Sequence, residues 1–235
     1  MALAFTALAA ANANTTNQST AYAGNAGTPV ANDILVCYVT VSGNATVGTL
    51  SGGGWSWQLL TGFTKNAGVD FVSVWYALAT AATSTTPSYL PSGAATGCII
   101  SCVRVTGQEG TNVPYIRQSA TNFGSTANPT VVFGAAPLTG NGILAFAGNA
   151  TNNTAQWTAP TSFTEISEVA HGTPNVSTET VSRATGQTTA TLTFTNANTT
   201  AWWVIALEFY TAGTGPTEPY DFGFGNGFFG GISAI

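Results

Sequence analysis

The run Thr189-Ala-Thr-Leu-Thr-Phe-Thr195 sets threonine at every odd position and an apolar residue at every even one. Successive side chains of a strand point to opposite faces, so a period of two describes an extended segment with one wet face and one buried face. A helix cannot satisfy it. Elsewhere the chain offers short apolar runs such as Ile34-Leu-Val-Cys-Tyr-Val39 and Trp202-Trp-Val-Ile-Ala-Leu207. Clusters of turn-forming residues separate such runs, as at Ser42-Gly-Asn44, Gly52-Gly-Gly54 and Asn196-Ala-Asn198. No long stretch carries helical periodicity. Many short strands with regular turn signals predict an all-β, antiparallel sandwich or barrel.

The segments also recur in order. Thr28-Pro-Val-Ala-Asn-Asp-Ile-Leu-Val-Cys-Tyr-Val39 is matched by Pro137-Leu-Thr-Gly-Asn-Gly-Ile-Leu-Ala-Phe-Ala-Gly148. Trp55-Ser-Trp-Gln-Leu-Leu60 answers to Ser162-Phe-Thr-Glu-Ile166, and Val72 to Leu78 answers to Asn175 to Val181. Cys98-Ile-Ile-Ser-Cys-Val-Arg-Val105 lines up with Trp202-Trp-Val-Ile-Ala-Leu-Glu-Phe209. This predicts two homologous halves, about 1–110 and 111–211, in which residues 28–105 and 137–209 superpose with shared side-chain orientation. Half a sandwich would expose an apolar face. Two halves that cover each other give one jelly-roll-like β-sandwich over residues 1–211, followed by a Gly/Phe-rich, irregular C-terminal arm at 212–235. Arg104 and Glu208 take matched positions in the closing strands, which predicts that they meet near a pseudo-two-fold axis.

A chain of 235 residues buries roughly 70% of its unfolded surface, so its core needs no disulfide or metal. Cys98 and Cys102 lie four apart on one strand, about 13 Å between Cα atoms, and cannot bridge each other. All three cysteines are read as small buried hydrophobes, with a bridge from Cys37 to Cys98 or to Cys102 left open. Leu3 to Leu8 reads as a first strand. No Lys or Arg precedes Lys65, so the N-terminus lacks the basic start of a secretory signal. No run approaches the 18 or more apolar residues of a membrane-spanning helix.

Only 6% of residues are charged, against about 25% in an ordinary soluble domain. Lys65, Arg104, Arg117 and Arg183 are scattered and the net charge is -5, which argues against phosphate neutralisation and hence nucleic-acid binding. The surface must be built from hydroxyls and amides, which cost less to bury than ions. Such a surface suits contact with other protein subunits, either copies of the chain or a capsid.

Candidate chemistry is thin. His171, the only histidine, falls in a Gly-Thr-Pro context that reads as loop, and no Ser-His-Asp or Cys-His constellation accompanies it. Glu165 and Glu168 read as acids at a loop edge. Phosphate-cradling and zinc-type spacings are missing, so neither catalytic residue, metal nor cofactor is expected. Trp55, Trp57 and Trp157 offer a sugar-stacking alternative; the competing reading places them in the core. The arm is apolar through Tyr220, Phe222, Phe224, Phe228, Phe229, Ile232 and Ile235. An exposed tail of this kind is adhesive, so it either folds back on its own sandwich or docks on a neighbouring subunit.

Over about residues 20–210 the chain resembles duplicated β-sandwich proteins of bacteriophage virions and bacterial surfaces. The resemblance rests on Asn32-Asp-Ile-Leu-Val36, Gly54-Trp55 and Trp202-Trp-Val-Ile-Ala-Leu207. It implies a jelly-roll-like fold and a non-enzymatic virion role such as capsid decoration or cement, with a tail or fibre component as a variant. It carries no site residues over. The alternative from another class is a secreted or cell-surface carbohydrate-binding module.

Overall fold

The computed structural model describes residues 2–65, 70–108, 116–151, 157–173, 175–196 and 200–212. Among these, regular structure consists of antiparallel strands, and no helix is present. In chain order the first half holds β1 (Ala4–Ala7), β2 (Asn12–Asn14), β3 (Tyr22–Ala23), β4 (Ile34–Ser42), β5 (Thr49–Ser51), β6 (Gln58–Lys65), β7 (Asp70–Leu78), β8 (Ser88–Leu90) and β9 (Gly97–Thr106). The second holds β10 (Ile116–Gly124), β11 (Thr130–Val132), β12 (Gly142–Asn149), β13 (Trp157–Thr158), β14 (Thr164–Gly172), β15 (Asn175–Arg183), β16 (Thr191–Thr193), β17 (Thr195–Asn196) and β18 (Trp202–Phe209).

One large sheet runs β1-β9-β4-β7-β6, with β2 also beside β9; the other runs β10-β18-β12-β15-β14. The two orders are the same, strand for strand. In the first half a small sheet, β3-β8-β5, accompanies the large one, and in the second the pairs β11-β16 and β13-β17 take its place. This is jelly-roll order with one change. The strand that would complete each small sheet, β6 or β14, is attached to the large sheet instead.

The large sheets pack face to face. Ile34, Val36, Tyr38, Val103 and Val105 from one meet Leu144, Phe146, Trp203, Ile205 and Phe209 from the other in a central core. The opposite face of each is covered as well. Leu35, Cys37, Val39 and Ile100 pack with Tyr22, Leu50 and Tyr89, while Ile143, Ala145 and Val204 pack with Val131, Leu192 and Phe194. Half-sandwiches that cover each other thus describe the middle of the molecule, and each carries a further core on its outer side. A strand buried on both faces has no wet position to alternate with, so β4, β12 and β18 are buried throughout and read as continuous apolar runs. Alternation survives in the outer strands: Leu192 and Phe194 are buried while Thr191, Thr193 and Thr195 are exposed.

Register refines the sequence matches. Leu35 pairs with Arg104, and Ile143 with Glu208, so Leu35 corresponds to Ile143 and Tyr38 to Phe146. The closing strands match in phase as expected. The opening strands are offset by one residue, which turns Ile34 toward the central core and Ile143 outward. Val72 likewise corresponds to Thr178 rather than Asn175. The offset has a steric reason: Gly142 takes the place of Ile34, and a Cβ there would lie 2.8 Å from the Phe5 ring and 2.9 Å from Leu3. Both edge strands carry a bulge at the same point, between Leu59 and Thr61 and between Glu165 and Ser167. The extra residue, Leu60 or Ile166, packs against the central core.

The seam between the sheets is closed by equivalent residues. Tyr38 and Phe146 stack with centroids 5.0 Å apart and planes at 7°, as residues next to a two-fold axis do in an isologous contact. The Tyr38 hydroxyl accepts hydrogen bonds from Trp203 Nε1 and from Thr40 Oγ1. Gly148 makes room for the Trp203 ring, since a Cβ there would lie 2.4 Å from it. Replacing Tyr38 by Phe keeps the stack and strands two buried donors. A loss of about 1–3 kcal/mol is expected, to be read from urea unfolding of Y38F beside the parent protein.

Candidate functional site

Each of the four basic side chains has an internal partner. Arg104 Nε donates to Asp33 Oδ2 at 2.5 Å, and Asp33 also accepts from the Val30 backbone N–H. Arg117 donates to Glu208 at 2.7 Å. Arg183 donates to the carbonyls of Thr185 and Gly186 and to Gln187 Oε1. Arg104 and Glu208 therefore do not pair with each other, contrary to the sequence expectation. Each instead anchors the turn that opens its own half. Glu208 is fully buried and also accepts from Gln118 Nε2, the Leu138 N–H and Asn141 Nδ2. Four donors on one carboxylate offset the cost of removing its charge from water.

Lys65 is the most enclosed cation, 4% exposed. Its Nζ lies 3.1 Å from Asp70 and 3.6 Å above the Trp203 ring. Burial pushes its ammonium down to about 8 from the ordinary 10.5, against the opposing pull of Asp70. A lysine lowered in this way can act as a nucleophile when it faces a cleft. The surface grooves described below are lined by other residues, and the ammonium here caps an aromatic ring inside the seam.

Trp55 and Trp157 are each 8% exposed and belong to the two outer cores. Both indoles thus take up core positions, Trp55 with one edge on a surface groove. Trp157 Nε1 donates to Ser177 Oγ, so its polar edge is used internally. Trp57 remains half-exposed, its Nε1 donating to the Gly52 carbonyl. His171 lies in β14 opposite Val176 and is buried, rather than in a loop. Strand pairing continues through Gly172, which carries it inward. Among the described residues, no group of three or more His, Cys, Asp or Glu is placed to hold a metal ion.

Three carboxylates gather on the outer face of the second large sheet. Glu168 and Glu179 lie directly opposite each other across β14 and β15, with Glu165 close enough to act electrostatically on both. Glu179 is 1% exposed, and one oxygen of each paired glutamate makes no hydrogen bond. Burial first, then neighbouring carboxylate charge, raises Glu168 to about 7 and Glu179 to about 8; a backbone N–H from Trp157 partly offsets this at Glu168. Glu165 and Glu168 thus stand in β14 rather than at a loop edge, and nothing in the local sequence marks Glu179 as their neighbour. The register that opposes them depends on the bulge after Glu165, which no local pattern announces.

An open groove of about 720 Å³ runs between β1 and β14, with Leu3, Phe5, Glu165, Ile166 and Arg183 in its walls. The described chain ends beside it. Ala212 N–H donates to the Gly107 carbonyl, and Gly107 lies against Ala2 and Leu3. Tyr220, Phe222, Phe224, Phe228, Phe229, Ile232 and Ile235 lie outside the described residues. Larger apolar side chains exposed on the surface include Val30, Phe123, Val132 and Leu138.

Among the cysteines, Cys37 and Cys102 face each other across β4 and β9 and form a disulfide. The reading of all three as unbonded hydrophobes holds only for Cys98, which is free and buried. Burial pushes the Cys98 thiol up, which suppresses the reactive thiolate. In comparisons with known proteins, no family model matches the chain, and neither a curated protein nor a solved structure matches it.

Denatured without reductant, the protein should present one thiol to an alkylating reagent, at Cys98, and three after reduction. Mass spectrometry of the alkylated peptides reads this directly. Replacing Cys37 and Cys102 by Ala should lower stability by about 2–4 kcal/mol, since the bond closes a long loop.

Proposed function

We propose that the chain is a non-enzymatic structural protein of a virion, of the capsid decoration or cement kind, acting through packing against other protein subunits. The observation that carries this reading is the disposition of charge. The four cations bond to internal partners, which leaves an outer surface rich in hydroxyls and amides with apolar side chains such as Phe123 and Val132 among them. Such a surface desolvates at low cost and provides little of the charge repulsion that keeps proteins apart. Jelly-roll architecture recurs in capsid and lectin domains, which supports both readings by analogy. The Cys37–Cys102 bond fits a particle or surface exposed to an oxidising medium.

In this proposal the C-terminal arm makes the principal contact with a neighbouring subunit. Burying each Phe or Ile contributes about 1.5–3 kcal/mol, against about 1–2 kcal/mol of backbone entropy for each residue fixed. Over the 24 residues of the arm the entropy is the larger sum, so the arm gains nothing by ordering without a partner surface. Deleting residues 217–235 should leave the melting temperature nearly unchanged and abolish assembly or particle binding, read by analytical ultracentrifugation and by mass spectrometry of purified particles. Unfolding of the truncated chain would assign the arm to its own core, and normal assembly without it would remove the arm from the interface.

The carbohydrate-binding alternative retains one observation. Trp55, Gln58 and Tyr76 line a surface groove of about 280 Å³, and Trp57 packs edge-on against Trp55. Under that reading a glycan array gives saccharide binding that W57A weakens at least tenfold, with the oligomeric state unchanged. Uniformly blank arrays count against it.

A further inference from the structure

The first half makes the β14–β15 crossing with other residues. Glu168 and Glu179 correspond to Gly62 and Ser73, which are paired across β6 and β7. A glycine and a serine therefore suffice to build this crossing, and the facing carboxylates are an addition the fold does not require. No cation is left for them. The chain has 4 Lys+Arg: Lys65, Arg104 and Arg117 are held by Asp70, Asp33 and Glu208, and Arg183 by Thr185, Gly186 and Gln187.

The groups around the pair are these. β14 itself contributes Glu165, and β13 contributes the Trp157 backbone N–H. Arg183 of β15 shares the groove wall with Glu165. His171 is paired with Val176, whose side chain lies in the central core, so the imidazole turns to the opposite face from the glutamates. β14 is an edge strand that packs on β1 and β2, so anything that loosens it loosens that side of the seam between the halves.

We propose that Glu168 and Glu179 form a proton-gated latch on the edge strand β14. While a proton is shared between them, one carboxyl donates to the other and β14 stays seated. Once both ionise, two like charges face each other on adjacent strands and β14 is pushed from the sheet, opening the groove beside β1.

The sign follows from burial. Both carboxyls are raised above the ordinary 4.5, to about 7 and about 8, so the folded protein holds protons that the unfolded chain releases. Their stabilisation is complete below about pH 4.5 and is lost as pH rises through 7–8, by up to about tenfold in the folding equilibrium per pH unit for each proton held. Hydrogen exchange of residues 164–172, corrected for intrinsic rates, should show protection at pH 5.5 falling at least tenfold by pH 8.5, with β4 and β12 the better protected at both values. In E168Q/E179Q the fall should disappear. Equal protection at both pH values overturns the proposal, and so does a fall that persists in the double variant, since that would assign the titration to another group such as His171. Carbon-13 carboxyl titration of the unmodified protein gives a second test. Two glutamates titrating above pH 6 support the latch, and all of them titrating near 4–5 refute it.

Discussion

The stacked pair Tyr38–Phe146, with Trp203 bonded to the Tyr38 hydroxyl, sits where the two large sheets meet. Everything outward depends on that contact being dry. Because the inner face of each sheet is sealed there, the outer face must find its own cover, and the small sheets supply it. The result is a stack in which β4, β12 and β18 contact apolar neighbours on both sides. Close packing of this kind leaves no space for adjustment, which is why Gly142 and Gly148 stand where Leu3, Phe5 and Trp203 come closest.

The same enclosure governs the charges. A chain with 6% charged residues has few ions to place, and it places its cations at points where backbone turns need anchoring. Arg104 with Asp33, and Glu208 with the Leu138 N–H and Asn141, each tie a closing strand to the turn before β4 or β12, and Arg117 neutralises Glu208 from β10. The chemical roles are reversed between the halves, cation on the closing strand in one and anion in the other, yet the mechanical outcome is the same. Lys65 does comparable work within the seam, bonded to Asp70 and lying over Trp203. With its cations used in this way, the chain presents a surface of neutral hydrogen-bonding groups.

Much of the fold was legible because strands leave local marks. Alternation at Thr189–Thr195, the turn at Asn32-Asp33 (where Asn32 takes a left-handed φ of 72°) and the ordered segments of each half all report on nearest neighbours in sequence. The layering was less legible. A continuous apolar run such as Ile34–Val39 states that both faces are buried without saying what covers the second. Register was least legible, because Ile-Leu after a turn looks the same whichever residue points inward. The one-residue offset at Ile34 and Ile143 comes from Leu3 and Phe5, more than a hundred residues before Gly142 in sequence. The Cys37–Cys102 bond and the facing Glu168 and Glu179 have the same origin: each is a cross-strand pair fixed by register, not by spacing.

Where two halves share strand order, bulge position and core arrangement, the positions at which they differ carry information the fold alone does not demand. At one such position the first half has a covalent cross-link: Cys37 corresponds to Ala145 and Cys102 to Ala206, which pair with each other by packing alone. At another the second half sets two carboxyls face to face, Glu179 buried and Glu168 half-buried, where the first has Gly62 and Ser73. One half is thus locked across its centre, while the other sets two facing acids without a bonded cation at its edge. On the proposed latch, β14 is the strand that ionisation of the pair would loosen, while β4 and β9 stay cross-linked. Under that proposal the asymmetry would let one edge respond to pH while the core stays intact, because a pair of chemically identical halves would yield together.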